Sequence, residues 1–101
     1  MTTALVRYRV HESRVGDNQE LVKAVFAELH STRPDGLSYT VAQLQDGTFL
    51  HLVDAAPGAL DSLTGLESFR RFQREIRGRC AEMPVSSAAV VVGRYGAWSE
   101  R

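Results

Sequence analysis

The sequence predicts an α+β fold with the element order βαββαβ, and three patterns along the chain carry that prediction. Apolar residues recur with the strand period of two near the N-terminus, with the helical period in two longer segments, and in two short runs on either side of a turn signal. Elements in this order form a four-stranded antiparallel sheet with both helices on one face, which is the ferredoxin-like arrangement. A chain of 101 residues holds one hydrophobic core, so we expect a single domain over residues 1–101.

The first strand and the first helix are predicted from a change of period. In residues 4–10, ALVRYRV, the set Val6, Tyr8 and Val10 alternates with the set Leu5, Arg7 and Arg9, as in a strand with two unlike faces. From Asp17 to Ser31 the apolar residues fall on one helical stripe, which is formed by Val22, Val25, Phe26 and Leu29. Asp17 and Glu20 have the spacing of a capping box, and the stretch STRPDG is predicted to end the helix.

The remaining three elements are a hairpin, a second helix and a last strand. Residues 37–44 and 48–54 flank Asp46-Gly47, a dipeptide that is typical of a two-residue hairpin turn. Thr64 and Glu67 mark the predicted start of the second helix, whose apolar stripe consists of Phe69, Phe72, Ile76 and Cys80. The segment AAVVVGRY, at residues 88–95, is the predicted fourth strand.

Composition and charge narrow the classes of function. Twelve basic residues balance twelve acidic ones, so electrostatic capture of nucleic acid or of anionic lipid is not expected. A single cysteine excludes an internal disulfide, and three scattered histidines lack the spacing of a metal site, so we expect no metal site. No apolar run reaches membrane-spanning length, and the N-terminus lacks a signal-peptide pattern. We therefore expect a cytoplasmic protein without a membrane partner.

The candidate functional face follows from the register of the hairpin. With a two-residue turn, Ala42 lies opposite His51, and directly opposed residues share a face of the sheet. The face away from the helices is then predicted to hold Leu5, Arg7, Arg9, Ser38, Thr40, Ala42, Leu44, Phe49, His51 and Val53. A bulge or a three-residue loop would reverse the assignment.

This predicted face is too apolar for water and too polar for a sealed core. We therefore expect a homodimer in which two sheets pack face to face around a partly polar cavity. A cavity with apolar walls and a few convergent polar groups is the usual form of a small-molecule site.

The chain resembles the antibiotic biosynthesis monooxygenase-like branch of the dimeric α+β barrel proteins. The resemblance extends over nearly the whole chain and is carried by VRYRV, NQELVKAVFAEL, RPDGLSYTVAQLQDGTFLHLVD, ESFRRFQREI and VVVGRYG. It implies a small dimer whose cavities, between the sheet and its own helices or between subunits, hold aromatic or polycyclic compounds. Some members oxygenate such compounds without metal or flavin, so the resemblance implies no dedicated cofactor. Relatives that degrade haem carry an asparagine on the first strand and a histidine on the second helix, a pattern that this chain lacks.

The candidate base is His51, because an imidazole with an ordinary pKa of about 6.5 can remove a phenol or enol proton before the carbanion meets O2. Arg7 and Arg9 are the candidate oxyanion partners, since a guanidinium offers paired donors to a planar anion. The candidate ligand contacts are Thr40, Phe49, Val53 and Trp98. Each has a structural alternative: a histidine hydrogen-bonded to Thr40, arginines in cross-strand or interface pairs, and aromatic residues that cover the core or a subunit boundary.

Three functions remain open at this point. The first is a cofactor-independent monooxygenase-like protein that acts on or binds a small aromatic or enolisable metabolite, with His51 as the base. The second is a non-catalytic ligand-binding or stress-associated barrel, which the lack of an acidic partner for His51 favours. The third is a structural dimerisation module.

Overall fold

A computed structural model describes residues 2–96 of the chain. Its strands are β1 (Thr2–Val10), β2 (Leu37–Gln43), β3 (Thr48–Ala55) and β4 (Cys80–Ala88). They form one antiparallel sheet in the order β2-β3-β1-β4. The predicted α+β class with a four-stranded antiparallel sheet is confirmed.

The helices pack on one face of this sheet. Helix α1 (Val15–Thr32) follows a 3-10 turn at Glu12–Arg14, so it begins two residues before the predicted cap. Asp17 makes no capping bond, and its carboxylate accepts a hydrogen bond from Nε of Arg14 at 2.8 Å. The helix ends as predicted, because Arg33 adopts a left-handed conformation with φ 49° and donates its N–H to the Leu29 carbonyl.

The second helical region is not the single helix that was predicted. It consists of α2 (Leu60–Thr64), α3 (Glu67–Gln73) and α4 (Ile76–Arg79). Gly65 separates the first two, and Glu75, at φ 68°, turns the chain between the last two, because a left-handed residue cannot continue a helix. Thr64 ends α2, so it does not cap α3.

The first turn of α3 is capped from another element. The Glu28 carboxylate on α1 accepts hydrogen bonds from the Ser68 backbone N–H at 3.0 Å and from the Ser68 hydroxyl at 2.6 Å. A negative charge at a helix N-terminus satisfies free N–H groups and complements the helix dipole. These two bonds lower the pKa of Glu28 and fix α3 beside α1.

The register of the β2–β3 hairpin differs from the prediction by one residue. Val41, not Ala42, lies opposite His51, because the loop contains three residues: Gly47 donates its N–H to the Leu44 carbonyl, and Leu44 pairs back to Thr48. Gly47 has φ 88°, which is the left-handed position of such a loop. The slip moves every β3 side chain to the other face, so His51 faces the helices.

The last strand also lies elsewhere than predicted. Strand β4 covers Cys80–Ala88 and pairs with β1, whereas residues 89–96 form no strand. Cys80 is therefore the buried first residue of a strand and not part of a helical stripe. The strand carries Pro84 and polar side chains, which an edge strand tolerates because one side of its backbone has no sheet neighbour.

The core lies between the sheet and the helices. It contains Tyr8, Val10, Val25, Phe49, Leu63, Leu66, Phe69, Phe72 and Cys80, and Tyr8 stacks on Phe49 with ring centroids 5.6 Å apart. Fully burying one apolar side chain such as that of Val10, Leu63 or Phe49 contributes roughly 1.5–3 kcal/mol to the free energy of unfolding. No helix in the described part of the chain has the length and apolar character needed to cross a membrane.

Candidate functional site

A cavity of about 450 Å³ lies between the sheet and helices α2 to α4. Its walls are mainly apolar and include Val6, Val53, Leu63, Phe69, Phe72 and Ile76. The volume falls within the range of sites for small organic molecules. Helices cover this face of the sheet, and the residues named above place the cavity between the sheet and the helices of the same chain.

His51 lies at the polar end of the cavity with a tyrosine on each side. The Tyr8 hydroxyl is 2.8 Å from its Nε2, and the Tyr39 hydroxyl is 2.6 Å from its Nδ1. The three residues come from β1, β2 and β3, and all three line the cavity. His51 is only 6% exposed, so its contacts are with these two phenols and with the Phe72 ring, whose centroid is 5.3 Å away.

The two hydrogen bonds constrain the protons of this group. A neutral imidazole carries one N–H and one bare nitrogen, so one tyrosine donates to the ring and the other accepts from it. The tyrosine that accepts keeps its own O–H for a different acceptor. The Tyr39–His51–Tyr8 group can therefore present a hydroxyl proton to a ligand from one side or from the other, depending on the tautomer of His51.

The hydrogen-bond chain continues away from the cavity. Asn18, which is fully buried on α1, donates from Nδ2 to the Tyr8 oxygen at 2.9 Å. Arg79, 2% exposed at the end of α4, donates from Nε to Oδ1 of Asn18 at 2.9 Å. Five side chains from five elements thus form one connected polar path through the core.

Burial sets the protonation of these groups. Desolvation lowers the pKa of His51 to about 4, since burial penalises the imidazolium. Desolvation also raises the pKa of Tyr8 and of Tyr39 above the ordinary phenol value, and the hydrogen bond from Asn18 opposes that rise at Tyr8. At neutral pH the group therefore consists of a neutral imidazole between two neutral phenols.

The sequence-predicted site residues divide between the two faces of the sheet. His51 and Val53 line the cavity, and Phe49 lies on the same face within the core. Arg7, Arg9 and Thr40 lie on the opposite face, because they pair with Leu50, Thr48 and Leu52 in the observed register. The structure therefore does not bring the two arginines or Thr40 to His51, and Arg9 contacts Glu82 at 3.3 Å instead. Trp98 lies outside the described residues.

Four residues of the polar path were not among the predicted site residues: Tyr8, Tyr39, Asn18 and Arg79. Tyr8 and Tyr39 alternate with Arg7, Arg9 and Thr40, which places them on the predicted helix-covered face, where an aromatic side chain more often belongs to the core. Asn18 had a visible signal, since it falls at helical spacing between Val15 and Val22 on an otherwise apolar stripe. Arg79 had no such signal, because a regular second helix would have left it on the solvated side.

The comparison with known proteins found solved structures that share the fold of this chain. No protein-family model matches the sequence, and no curated protein matches it. Among solved structures, an antibiotic biosynthesis monooxygenase superimposes with a TM-score of 0.74 at 14% identity, over 92% of this chain and 100% of the other. The chain shares its fold with that protein. The resemblance predicted from the sequence is confirmed at this level.

Two further solved structures have the same fold. Rv0793 from Mycobacterium tuberculosis aligns with a TM-score of 0.74 at 12% identity, over 94% of this chain and 98% of its own. PA3566 from Pseudomonas aeruginosa aligns with a TM-score of 0.72 at 16% identity, over 91% and 94%. At such identities the shared fold leaves the chemistry to be argued from the site.

The donor set of the cavity suits organic ligands better than metal ions. Within residues 2–96, no three His, Cys, Asp or Glu side chains lie close enough together to ligate a metal. The polar end instead offers hydroxyl groups beside apolar and aromatic walls. This arrangement can hold a flat, mostly apolar molecule and exchange one proton with it.

Proposed function

We propose that this protein binds a small aromatic or enolisable metabolite in the cavity and acts on it as a cofactor-independent, monooxygenase-like enzyme. The observation that carries the proposal is the Tyr39–His51–Tyr8 group at the polar end of an otherwise apolar cavity of about 450 Å³. Apolar walls bind the rings of such a ligand, and the convergent polar groups orient its oxygen.

We infer that His51 takes part in proton transfer indirectly. Both ring nitrogens already contact tyrosine hydroxyls, so a ligand meets the imidazole through a tyrosine. The ligand O–H gives its proton to the tyrosine oxygen, while the proton of that tyrosine passes to the bare nitrogen of His51. The carbanion form of the ligand then supplies the electrons that O2 requires. General-base catalysis of this kind accelerates a reaction roughly 10²–10⁴-fold.

The low pKa of His51 favours a second function, that of a non-catalytic ligand-binding protein. Because burial lowers the pKa of His51 to about 4, the imidazole is a weak base unless the ligand changes its surroundings. A non-catalytic ligand-binding barrel needs only the cavity and its hydrogen bonds. The third function, a purely structural module, fits less well because the cavity is not filled by side chains.

We also propose that the protein is a homodimer that packs through the uncovered face of the sheet. In the observed register this face no longer carries His51. The uncovered face carries Leu5, Arg7, Leu50 and Leu52, and Leu52 is 41% exposed. Apolar residues of β4 and the following segment are exposed as well: Met83, Val85, Val90, Val91 and Val92. Exposed apolar side chains on a sheet face favour an interaction site there, and a second copy of the chain would cover Leu52 by packing sheet against sheet.

The test of the proposed function is oxygen consumption together with ligand binding. Hydroxylated naphthalenes are offered to the wild type and to His51→Ala, with an oxygen electrode for turnover and calorimetry for binding. Binding by both proteins with oxygen uptake by the wild type alone would support the catalytic proposal. Binding without uptake by either would support the second function, and uptake that His51→Ala leaves unchanged would remove His51 from the mechanism.

A further inference from the structure

Arg79 is a buried cation whose contacts are neutral. Besides its bond to Asn18, it donates from Nη2 to the Phe72 carbonyl at 2.6 Å and from Nη1 to the Arg74 carbonyl at 3.4 Å. Its guanidinium carbon also lies 5.3 Å from the centre of the Phe72 ring. Within the described residues, no carboxylate forms an ion pair with it. A buried charge is costly unless an opposite charge balances it.

The charged groups around Arg79 leave its buried positive charge unbalanced on the cavity side. Glu75, in the turn before α4, acts on it favourably, while Arg14 acts unfavourably from the turn before α1. Both side chains border a surface cleft that Arg79 also lines, together with Asp17, Glu20, Arg71 and Arg74, and water screens the charges in this cleft. On the inner side the titratable groups are the neutral phenol of Tyr8 and the thiol of Cys80. The inner side of Arg79 therefore lacks an anion.

The hydrogen bonds of the path run in one direction, with each donor on the Arg79 side and each acceptor on the cavity side. Arg79 donates to Asn18, and Asn18 donates to the Tyr8 oxygen. If His51 also donates from Nε2 to that oxygen, then Tyr39 donates to Nδ1, and the Tyr8 O–H is left to donate into the cavity. In this arrangement every donor along the path supports negative charge on an acceptor beside Tyr8, as preorganised donors do in an oxyanion site.

We propose that Arg79, acting through Asn18 and Tyr8, makes the cavity select aromatic hydroxy compounds in their ionised form, as phenolates or enolates. Arg79 is a positioning residue here, since it does not touch the ligand. The inference rests on the proposed function, because it takes the cavity as the ligand site. It assigns the anion-stabilising role to Arg79, whereas Arg7 and Arg9 lie on the other face of the sheet.

The experiment uses 4-nitrophenol, because its phenolate is visible by absorbance, and 4-nitroanisole, which has no ionisable proton. Titration of saturated protein gives the apparent pKa of the bound phenol. Arg79→Met removes the positive charge from the end of the path and is expected to raise the pKa of the bound phenol by about 1, equivalent to a tenfold loss of preference for the phenolate. Arg79→Lys keeps the charge and is expected to recover part of the change.

Two further variants separate the role of Arg79 in the path from a general effect of substituting an arginine. Asn18→Asp has nearly the volume of the original side chain and adds a carboxylate beside Arg79, so it is expected to raise the same pKa. Arg77→Met removes an exposed arginine from the same helix and is expected to leave it unchanged. In the wild type, which needs no variant to fold, nitrophenolate should bind at least tenfold more tightly than 4-nitroanisole.

The outcomes separate the two proposals. Binding of 4-nitrophenol with the same pKa in wild type, Arg79→Met and Asn18→Asp would overturn the role of Arg79 and leave the cavity as a ligand site. Equal affinity for nitrophenolate and 4-nitroanisole in the wild type would do the same. Failure of both probes to bind would overturn both proposals.

Discussion

The hydroxyl of Tyr8 on β1 lies 2.8 Å from Nε2 of His51 on β3. The two residues are diagonal neighbours on the helix-covered face of the sheet, because Tyr8 is paired with Phe49 and His51 with Val6. Diagonal side chains of this length reach each other across adjacent strands. The bond joins the cavity to the Asn18–Arg79 path, so the protonation of His51 influences the core as well as the ligand.

The first prediction concerns stability at low pH. Burial lowers the pKa of His51 to about 4, against about 6.5 in the unfolded chain. Between these values the unfolded chain binds more protons, so the free energy of unfolding falls as the pH falls from about 6.5 to about 4. The contribution of His51 to this loss is up to about 3 kcal/mol. Urea unfolding at several pH values measures it.

The variant His51→Gln should show a flatter dependence of stability on pH than the wild type over this window. His11→Gln, which removes an exposed histidine, is the matched control and should keep the wild-type slope. An equal slope in wild type and His51→Gln would mean that His51 titrates normally in the folded protein.

The second prediction ranks the two tyrosines. Tyr8→Phe leaves Nε2 of His51 and Nδ2 of Asn18 without their buried partner, so we expect a loss of about 2–3 kcal/mol in the free energy of unfolding. Tyr39→Phe removes one bond at a half-buried position, and the expected loss is about 1 kcal/mol. Tyr95→Phe, at a fully exposed position, is the control for the lost hydroxyl. Denaturant unfolding measures all three, and equal losses for Tyr8→Phe and Tyr39→Phe would contradict the ranking.

The sequence predicted the order of the elements and the faces of β1 and β2, because alternating side chains report those directly. It misplaced His51, because Asp46-Gly47 is compatible with both a two-residue turn and a three-residue loop, and the choice depends on how Gly47 packs beside β1. It misplaced β4, because an edge strand is held by backbone bonds to β1 and needs few apolar residues. The polar path through Asn18 and Arg79 depends on the break at Glu75, which no local pattern indicated.

The third prediction tests that loop. A Cβ on Gly47 would lie 3.0 Å from the Val10 carbonyl oxygen, and its φ of 88° is unfavourable for any other residue. Gly47→Ala is expected to lower the free energy of unfolding by about 1–2 kcal/mol. Gly16→Ala, within α1 and with open space around it, is expected to be neutral or to stabilise by up to about 1 kcal/mol. Thermal unfolding of both variants measures the difference, and similar melting temperatures would argue against the left-handed conformation of Gly47 and its close approach to Val10.

The fourth prediction concerns assembly through the uncovered face of the sheet. Leu52 is 41% exposed beside Leu50 and Arg7, and a dimer that packs sheet against sheet would bury it. Leu52→Glu introduces a charge from each copy into that interface, and an unpaired buried charge is strongly unfavourable. Light scattering coupled to size exclusion should therefore find a dimer for the wild type and a monomer for Leu52→Glu. Lys23→Glu, an exposed substitution on α1 in the helical layer, should remain dimeric. A wild type that is monomeric at micromolar concentration would remove the homodimer proposal, whereas the cavity within one chain would stand.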